Sequence, residues 1–250
     1  MIMKQLACLL LLSLSFTMVR AQQLFVPNGT IVFEKKVNLQ RLMENPAFSQ
    51  RMKKYKTSSW ELSFDTSKSL FHPTKKQEED PDFSFFGFNE DAENELYANY
   101  QEDKRVIRKR ILGDDYLLTD TIPKMDWKIM HEVRNIAGYE CRKAIGVMND
   151  SVYVVAFYTE EILLKGGPEG FSGLPGMILG LAIPRYFCTW FATKVTPYAE
   201  QSLAITPPGK GKKIETEKEL NKLIEIYSRH DELLKQKPEL VKKRFYGFTL

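Results

Sequence analysis

Apolar and polar residues alternate along much of this chain, which is the pattern of β-strands with one wet face. Trp60, Leu62 and Phe64 alternate with polar neighbours, and residues 30–37 form an earlier β-prone run. Because no strand–helix–strand rhythm is present, a parallel doubly wound fold is not expected. Further strands, joined by short turns, are predicted at residues 127–133, 139–148, 152–159, 177–183 and 186–195.

Helical patterns are found after the first strand and near the C-terminus. Asn38 is a candidate N-cap for an inserted helix, and residues 45–55 restart the helical pattern. Thr216 and Glu219 form a capping box for a C-terminal helical segment over residues 216–245. The expected fold class is therefore α+β: a mainly antiparallel, curved, half-barrel-like meander with an inserted helix and a C-terminal helix that covers one face or edge.

The N-terminus has the layout of a secretory signal peptide. Lys4 precedes an apolar run over residues 6–18, which is too short for a comfortable membrane span. Val19 and Ala21 place small residues at the −3 and −1 positions of a cleavage site. We expect residues 1–21 to be a signal peptide, and residues 22–250 to form one exported domain without a transmembrane segment. The alternative is a signal anchor that stays attached.

The charge of the mature chain is nearly balanced. Removing Lys4 and Arg20 from the 36 basic residues leaves 34, against 32 acidic ones. No global field therefore points to nucleic acid or to an anionic surface. Residues 77–103 carry ten acidic residues and no basic one, and five basic residues follow within 104–110. We interpret these stretches as an acidic surface loop and an exposed strand; the alternative is an acidic, aromatic docking segment.

Cysteine usage leaves two possibilities open. Cys141 and Cys188 are the cysteines of the expected mature chain. A disulfide between them would contribute about 4 kcal/mol in the chain-entropy model, but it requires Cα atoms within about 7 Å. The other possibility is a pair of buried thiols. A metal carrier that uses both cysteines and His131 is a further alternative, although no closely spaced metal-ligand motif is present.

The glycine-rich loop at residues 166–176 is the most unusual stretch of the sequence. Leu174-Pro175-Gly176 fits a type II turn, in which proline fixes φ and glycine supplies a positive φ. A loop of this composition either bends sharply or approaches another group closely. A hydrolase centred on Ser172 is an alternative, with Glu161 or Glu169 as other candidate centres and His131 as a possible base. However, position 174 is leucine where a nucleophile elbow needs glycine.

The sequence resembles the GLPGLI family of secreted Bacteroidetes proteins. Gly-Leu-Pro-Gly-Met-Ile at 173–178 matches the family signature, with Met177 in place of leucine. The segments 136–144, 156–162 and 208–211 resemble other family elements in the same order, and the resemblance covers about residues 31–227. It implies an exported, largely β protein without an established activity, so it supplies no catalytic residues.

The sequence therefore favours a non-catalytic binding or accessory module of the periplasm, the outer membrane or the extracellular space. Its partner would be an envelope protein or a small apolar ligand, and no nucleic acid, cofactor or metal is expected. The candidate ligand or partner loop consists of Gly167, Pro168, Phe171, Gly173, Leu174, Pro175 and Gly176. The candidate sheet motif consists of Trp127, Tyr139, Lys143 and Tyr158. These residues could equally serve the fold alone.

Overall fold

The computed structural model describes residues 25–42, 53–74, 94–111, 114–148, 151–200 and 205–214, together with 219, 221–223 and 225–226. The signal-peptide prediction lies outside these residues. The strands are β1 (Gly29–Asn38), β2 (Tyr55–Phe64), β3 (Lys68–Pro73), β4 (Glu95–Asn99), β5 (Lys104–Ile111), β6 (Asp114–Thr121), β7 (Trp127–Ile136), β8 (Tyr139–Met148), β9 (Val152–Thr159), β10 (Met177–Ile183), β11 (Cys188–Pro197) and β12 (Lys212–Ile214).

All twelve strands belong to one sheet, in the order β12-β6-β5-β4-β3-β2-β1-β11-β10-β9-β8-β7. It consists of two antiparallel meanders, β1 to β6 and β7 to β11, which are joined where β1 pairs with β11. The short strand β12 adds to β6 in the parallel sense. The antiparallel strands predicted from residue 127 onward are thus present, whereas β3, β4, β6 and β12 had not been predicted.

The connection between β6 and β7 requires this sheet to curl. Thr121 ends β6 and Trp127 begins β7, and six Cα steps reach at most about 22 Å. In the sheet order β6 and β7 are ten strand spacings apart, which would be about 48 Å in a flat sheet. The two ends of the sheet must therefore approach each other, and one face becomes concave. We call this the inner face and the opposite one the outer face.

Several large aromatic side chains pack together in the core on the inner face. Trp60 of β2 stacks on Phe71 of β3 at 5.0 Å between ring centroids, and Phe33 of β1 meets Phe71 edge-on at 6.2 Å. These three residues and Trp190 of β11 are almost completely buried. Each of them occupies one of the alternate positions of its strand that face the core, since every second residue of a strand faces the same side.

The expected α+β class is wrong, because the described residues form an all-β protein. Helix α1 is described over one turn, Leu39–Leu42, and Asn38 caps it as predicted by accepting a hydrogen bond from the backbone N–H of Arg41 at 3.2 Å. The second helical run was predicted through residue 55, yet Tyr55 begins β2. Near the C-terminus, residues 219, 221–223 and 225–226 are helical, and the rest of 216–245 is not described. No described helix is long and apolar enough to cross a bilayer.

The acidic segment and the basic strand also differ from their interpretation. Residues 95–99 of the supposed acidic loop form β4, in which Leu96, Tyr97 and Ala98 are buried. The basic strand β5 is not simply exposed, because Arg105 is only 1% exposed and its guanidinium lies 3.0 Å from Asp120. Cross-strand partners therefore explain part of the charge run. Residues 75–93, which include most of the acidic stretch, lie outside the described part of the chain.

Cys141 and Cys188 are buried thiols and are not joined in a disulfide. Cys141 is on β8 and Cys188 on β11, and β9 and β10 lie between these strands in the sheet. Burial raises the pKa of the Cys141 thiol to about 12, helped by the negative charge of Glu161. The structure therefore corresponds to the second possibility, a pair of buried thiols, and a protonated thiol with this pKa is a poor metal ligand.

Candidate functional site

The glycine-rich loop packs onto the inner face of the sheet instead of lining an open cleft. Its first half contains a 3-10 turn over Pro168–Gly170, which lies against β3, β4 and β10. Only Gly173 and Pro175 of the predicted ligand loop are exposed. The buried members of that predicted set are Gly167, Pro168, Phe171, Leu174 and Gly176.

Close backbone approach explains the glycines of this loop. A Cβ at Gly176 would overlap the carbonyl oxygen of Thr159, and one at Gly167 would lie 2.7 Å from the Cβ of Ile178. Gly173 has a φ of +94°, a conformation that side chains with a Cβ rarely adopt. The expected type II turn is wrong, because Gly176 lacks the positive φ that this turn requires; the positive φ falls at Gly173 instead. Close packing accounts for Gly167 and Gly176, which is one of the two possibilities that the composition of the loop raised.

A buried ion pair fastens the loop to β1. The Nζ of Lys35 lies 3.3 Å from the Oε1 of Glu169, and their side chains are 9% and 14% exposed. The Lys35 ammonium also lies 5.2 Å from the ring centroid of Trp60 and 5.3 Å from that of Trp190. Two indole faces and one carboxylate thus compensate a cation that has lost most of its water.

Two further contacts hold the loop to the sheet. The Nε1–H of Trp127 donates to the carbonyl oxygen of Ser172 at 2.8 Å. The hydroxyl of Tyr100 is 3.2 Å from the Oγ of Ser69 and also has a hydrogen bond with the backbone of Gly167. Burial raises the pKa of Tyr100, so this phenol stays protonated at neutral pH. The loop is therefore anchored at both ends of its crossing.

The four residues of the predicted sheet motif do not form one site. Trp127 and Tyr158 belong to the inner face, where Trp127 contacts the loop and Tyr158 is 1% exposed. Lys143 is on the outer face and binds Glu132 at 2.6 Å. Tyr139 follows the hairpin turn, and burial together with Glu161 raises its pKa. Of the four, Trp127 alone has a described hydrogen bond with the loop.

The described residues do not assemble the hydrolase or metal alternatives. Ser172 is buried, and its hydroxyl has no described hydrogen bond to a histidine or a carboxylate. Glu169 is engaged by Lys35, and His131 is exposed on β7. No group of three or more His, Cys, Asp or Glu side chains that could hold a metal ion is found in the described part of the chain.

The outer face of β8 and β9 carries an exposed apolar pair. Val147 and Tyr153 are directly opposite each other in the antiparallel register, and they are 46% and 63% exposed. Ile145 and Val155 form the neighbouring cross-strand pair and are partly exposed. We call these four residues the β8–β9 patch. An exposed cluster of this kind marks an interaction surface more often than an isolated apolar residue does.

Sequence reasoning missed both Lys35 and the β8–β9 patch. The signal for Lys35 was available, because this lysine falls on the apolar side of the β1 alternation with Ile31 and Phe33. A charged residue in that phase needs a partner in the core. The partner Glu169 is distant in sequence, so only the fold reveals it. The patch gave no signal, since Val147 and Tyr153 resemble other strand residues.

A family model matches part of this chain. Residues 146–180 match the family described as a protein of unknown function (Porph_ging). This match includes β9, the glycine-rich loop and part of β10. The same stretch contains the segment 173–178, on which the expected resemblance to the GLPGLI family depended. The matched family has a different description, so the match does not confirm membership of the GLPGLI family. No curated protein matches the chain.

Two solved structures of PNGF-II are similar to this chain in fold. The structure in space group C2 matches with a TM-score of 0.50 at 16% identity, and the match covers 78% of this chain. The P21 structure of PNGF-II gives the same three values. This chain spans about a third of PNGF-II, because the match covers 32% and 33% of those chains. An uncharacterized conserved protein from Thermus thermophilus has a TM-score of 0.41 at 4% identity over 78% of this chain and 95% of that one. The similarity to PNGF-II concerns the fold alone.

Proposed function

We propose that this chain is an exported, non-catalytic binding module of the cell envelope that recognises a protein partner through the β8–β9 patch. The observation that carries this proposal is the placement of the glycine-rich loop. The loop packs against β3, β4 and β10 on the inner face, and its one carboxylate is paired with Lys35. This placement supports an outer surface as the place where a partner docks.

The composition of the β8–β9 patch supports a protein as the partner. Tyrosine provides a large contact area with few rotatable bonds and a hydroxyl at its tip, so it is frequent at protein interfaces. Lys128 is opposite Ile145 and is exposed, and Arg185 donates to the hydroxyl of Ser151 nearby. The patch therefore has an apolar centre with a polar rim, which is the usual anatomy of an interface.

Export is supported by the N-terminal sequence. Lys4, the apolar run over residues 6–18 and the small residues Val19 and Ala21 form a complete secretory signal pattern. Fractionation of cells that express the whole chain tests this part, together with the intact mass of the exported protein. A mass that begins at Gln22 supports cleavage and export, and an uncleaved cytosolic protein contradicts them.

The docking surface is tested by cross-linking in intact cells of the source organism. The unaltered protein is expected to give one discrete adduct with an envelope protein. The double variant Val147→Ser/Tyr153→Ser should lose most of this adduct, because burying the two side chains provides the contact. Tyr198→Ser is the matched control, since Tyr198 is a 55% exposed tyrosine that directly follows β11, outside the β8–β9 patch.

Each outcome bears on the proposal. If the double variant cross-links as well as the unaltered protein while Tyr198→Ser does not, the docking surface is elsewhere. If no variant changes the adduct, the patch has no role in binding. Thermal unfolding of each variant shows whether a lost adduct reflects a lost contact and not a lost fold.

A further inference from the structure

The outermost strand β7 presents an open edge in the described part of the chain. It is ten residues long and pairs with β8 on one side only. An edge strand of this length offers a row of backbone N–H and C=O groups to another strand. The other edge is the three-residue strand β12, which offers far less. Of the two edges, β7 is therefore the better suited to accept a further strand.

The charges from Asp126 to Arg134 are antisymmetric about Met130: each charged residue on one side has a residue of opposite charge at the same distance on the other side. Alternate positions from 126 to 134 are Asp126, Lys128, Met130, Glu132 and Arg134. When two copies of this segment pair antiparallel about Met130, Asp126 meets the partner copy's arginine at 134. Lys128 likewise meets the glutamate at 132. Each dimer would contain four cross-strand pairs of opposite charge.

Neighbouring registers are excluded by the same charges. A shift in one direction places Lys128 opposite Arg134, and a shift in the other direction places Asp126 opposite Glu132. Like charges directly opposite each other destabilise a strand pair. At the intervening, odd-numbered positions, pairing about Met130 places Trp127 opposite Val133 and Ile129 opposite His131. Ile129 and Val133 are 46% and 45% exposed, so this pairing would also cover apolar surface.

We propose that β7 is a self-recognition edge through which a second copy of this chain pairs antiparallel about Met130. The Glu132 carboxylate also binds Lys143 at 2.6 Å and Arg134 at 2.9 Å within one chain. The side chains of Glu132 and Arg134 are 41% and 55% exposed, so the ion pair between them is weak and both groups can be shared with the second copy. Lys143 is less exposed, at 24%. The β7–β8 register is irregular between Ile129 and Val133. Edge bulges usually discourage pairing with another strand. This bulge includes Met130, so the twofold axis of the dimer would pass through it and the two copies would bend in the same way.

Paired charge variants test this proposal without requiring an identified partner. Lys128→Glu creates two Glu–Glu oppositions in the homodimer, and Glu132→Lys creates two Lys–Lys oppositions. Each variant alone should dimerise at least about tenfold more weakly than the unaltered protein. A one-to-one mixture of the two variants should recover dimers, because every opposition then joins opposite charges. Analytical ultracentrifugation of the unaltered chain, each variant and the mixture provides the measurement.

A cysteine variant tests the register directly. Met130→Cys in a Cys8→Ser background should form an intermolecular disulfide under mild oxidation, because the residue faces its own copy across the axis. Glu34→Cys, exposed on the central strand β1, is the control and should not. A monomeric unaltered protein, a variant mixture that stays monomeric, or equal cross-linking at positions 34 and 130 would each overturn the proposal. None of these outcomes bears on the β8–β9 patch.

Discussion

Gly176 lies where β10 begins, and the carbonyl oxygen of Thr159 occupies the space that a Cβ would need. The atom in the way belongs to the backbone of β9, so it cannot rotate aside as a flexible side chain would. The residue is thus specified by packing of the loop against the sheet. A glycine of this kind is required by the fold whether or not the loop also contacts a ligand.

Gly176→Ala should lower the free energy of unfolding by about 3 kcal/mol, because the backbone must shift in a close-packed region. Gly209→Ala is the matched control, since a Cβ at Gly209 would meet nothing within 4 Å. The control should change stability by less than about 0.5 kcal/mol. Urea unfolding of the three proteins measures both effects, and equal stability of the two variants would contradict this account of the loop.

Cys141 provides a pH-dependent prediction. Its pKa is raised from 9.0 to about 12 by burial, so the folded protein retains this proton to higher pH than the unfolded chain does. Between these values the unfolded state binds fewer protons, and stability therefore falls as pH rises. The contribution is fully present below about pH 9 and is lost by about 1.4 kcal/mol per pH unit above it. Cys141→Ala should remove this part of the alkaline destabilisation when unfolding is compared at pH 8 and pH 11.

Lys35 shows why part of the candidate site could not be predicted at this scale. The alternation of β1 placed this lysine on the buried side, which was a readable signal. Its compensation by Glu169, Trp60 and Trp190 depends on three segments that are far apart in sequence. Local pattern therefore indicates that a buried charge has a partner, but only the folded sheet identifies it.

At the scale of elements, the loop and β1 are coupled through the Lys35–Glu169 pair. Removing one partner leaves the other charge poorly solvated, whereas removing both leaves two neutral side chains. Lys35→Met and Glu169→Gln should each cost about 2 to 3 kcal/mol, and the double variant should cost at least about 1 kcal/mol less than the sum. Lys36→Met is the control, because Lys36 is exposed on the opposite side of β1.

Unfolding of these variants completes a double-mutant cycle. A coupling energy near zero would mean that the pair does not fasten the loop. Fluorescence offers a second readout, since Lys35 lies over both Trp60 and Trp190. The emission should change in Lys35→Met and stay the same in Lys36→Met.

Several strands could be predicted because alternation is a local signal. Alternation identified β1, part of β2 and the strands β7 to β11, and Asn38 caps its helix as expected. Helix α1 is described over Leu39–Leu42, and Tyr55, at the end of the second predicted helical run, pairs with β1 instead. A short periodic run follows whichever element its tertiary contacts favour. β12 is only three residues long and has no alternation to detect.

At the scale of the whole molecule, the described residues place a loop, and not a long helix, against the inner face of a curved sheet. The short β6–β7 connection brings the ends of the sheet together, and the glycine-rich loop fills the concave side. The sequence contains both features, but their joint consequence depends on strand order, which alternation does not specify. This is why a curved antiparallel sheet could be expected while the fold class was wrong.

We propose that binding occurs at the β8–β9 patch and not at the glycine-rich loop. Photo-cross-linking in living cells tests this directly, with the same photoreactive residue placed at position 153 or at position 175. Both positions are exposed, so their reactivity can be compared. We predict one discrete adduct from position 153 and none from position 175. An adduct from position 175 alone would contradict the claim and assign the partner to the loop.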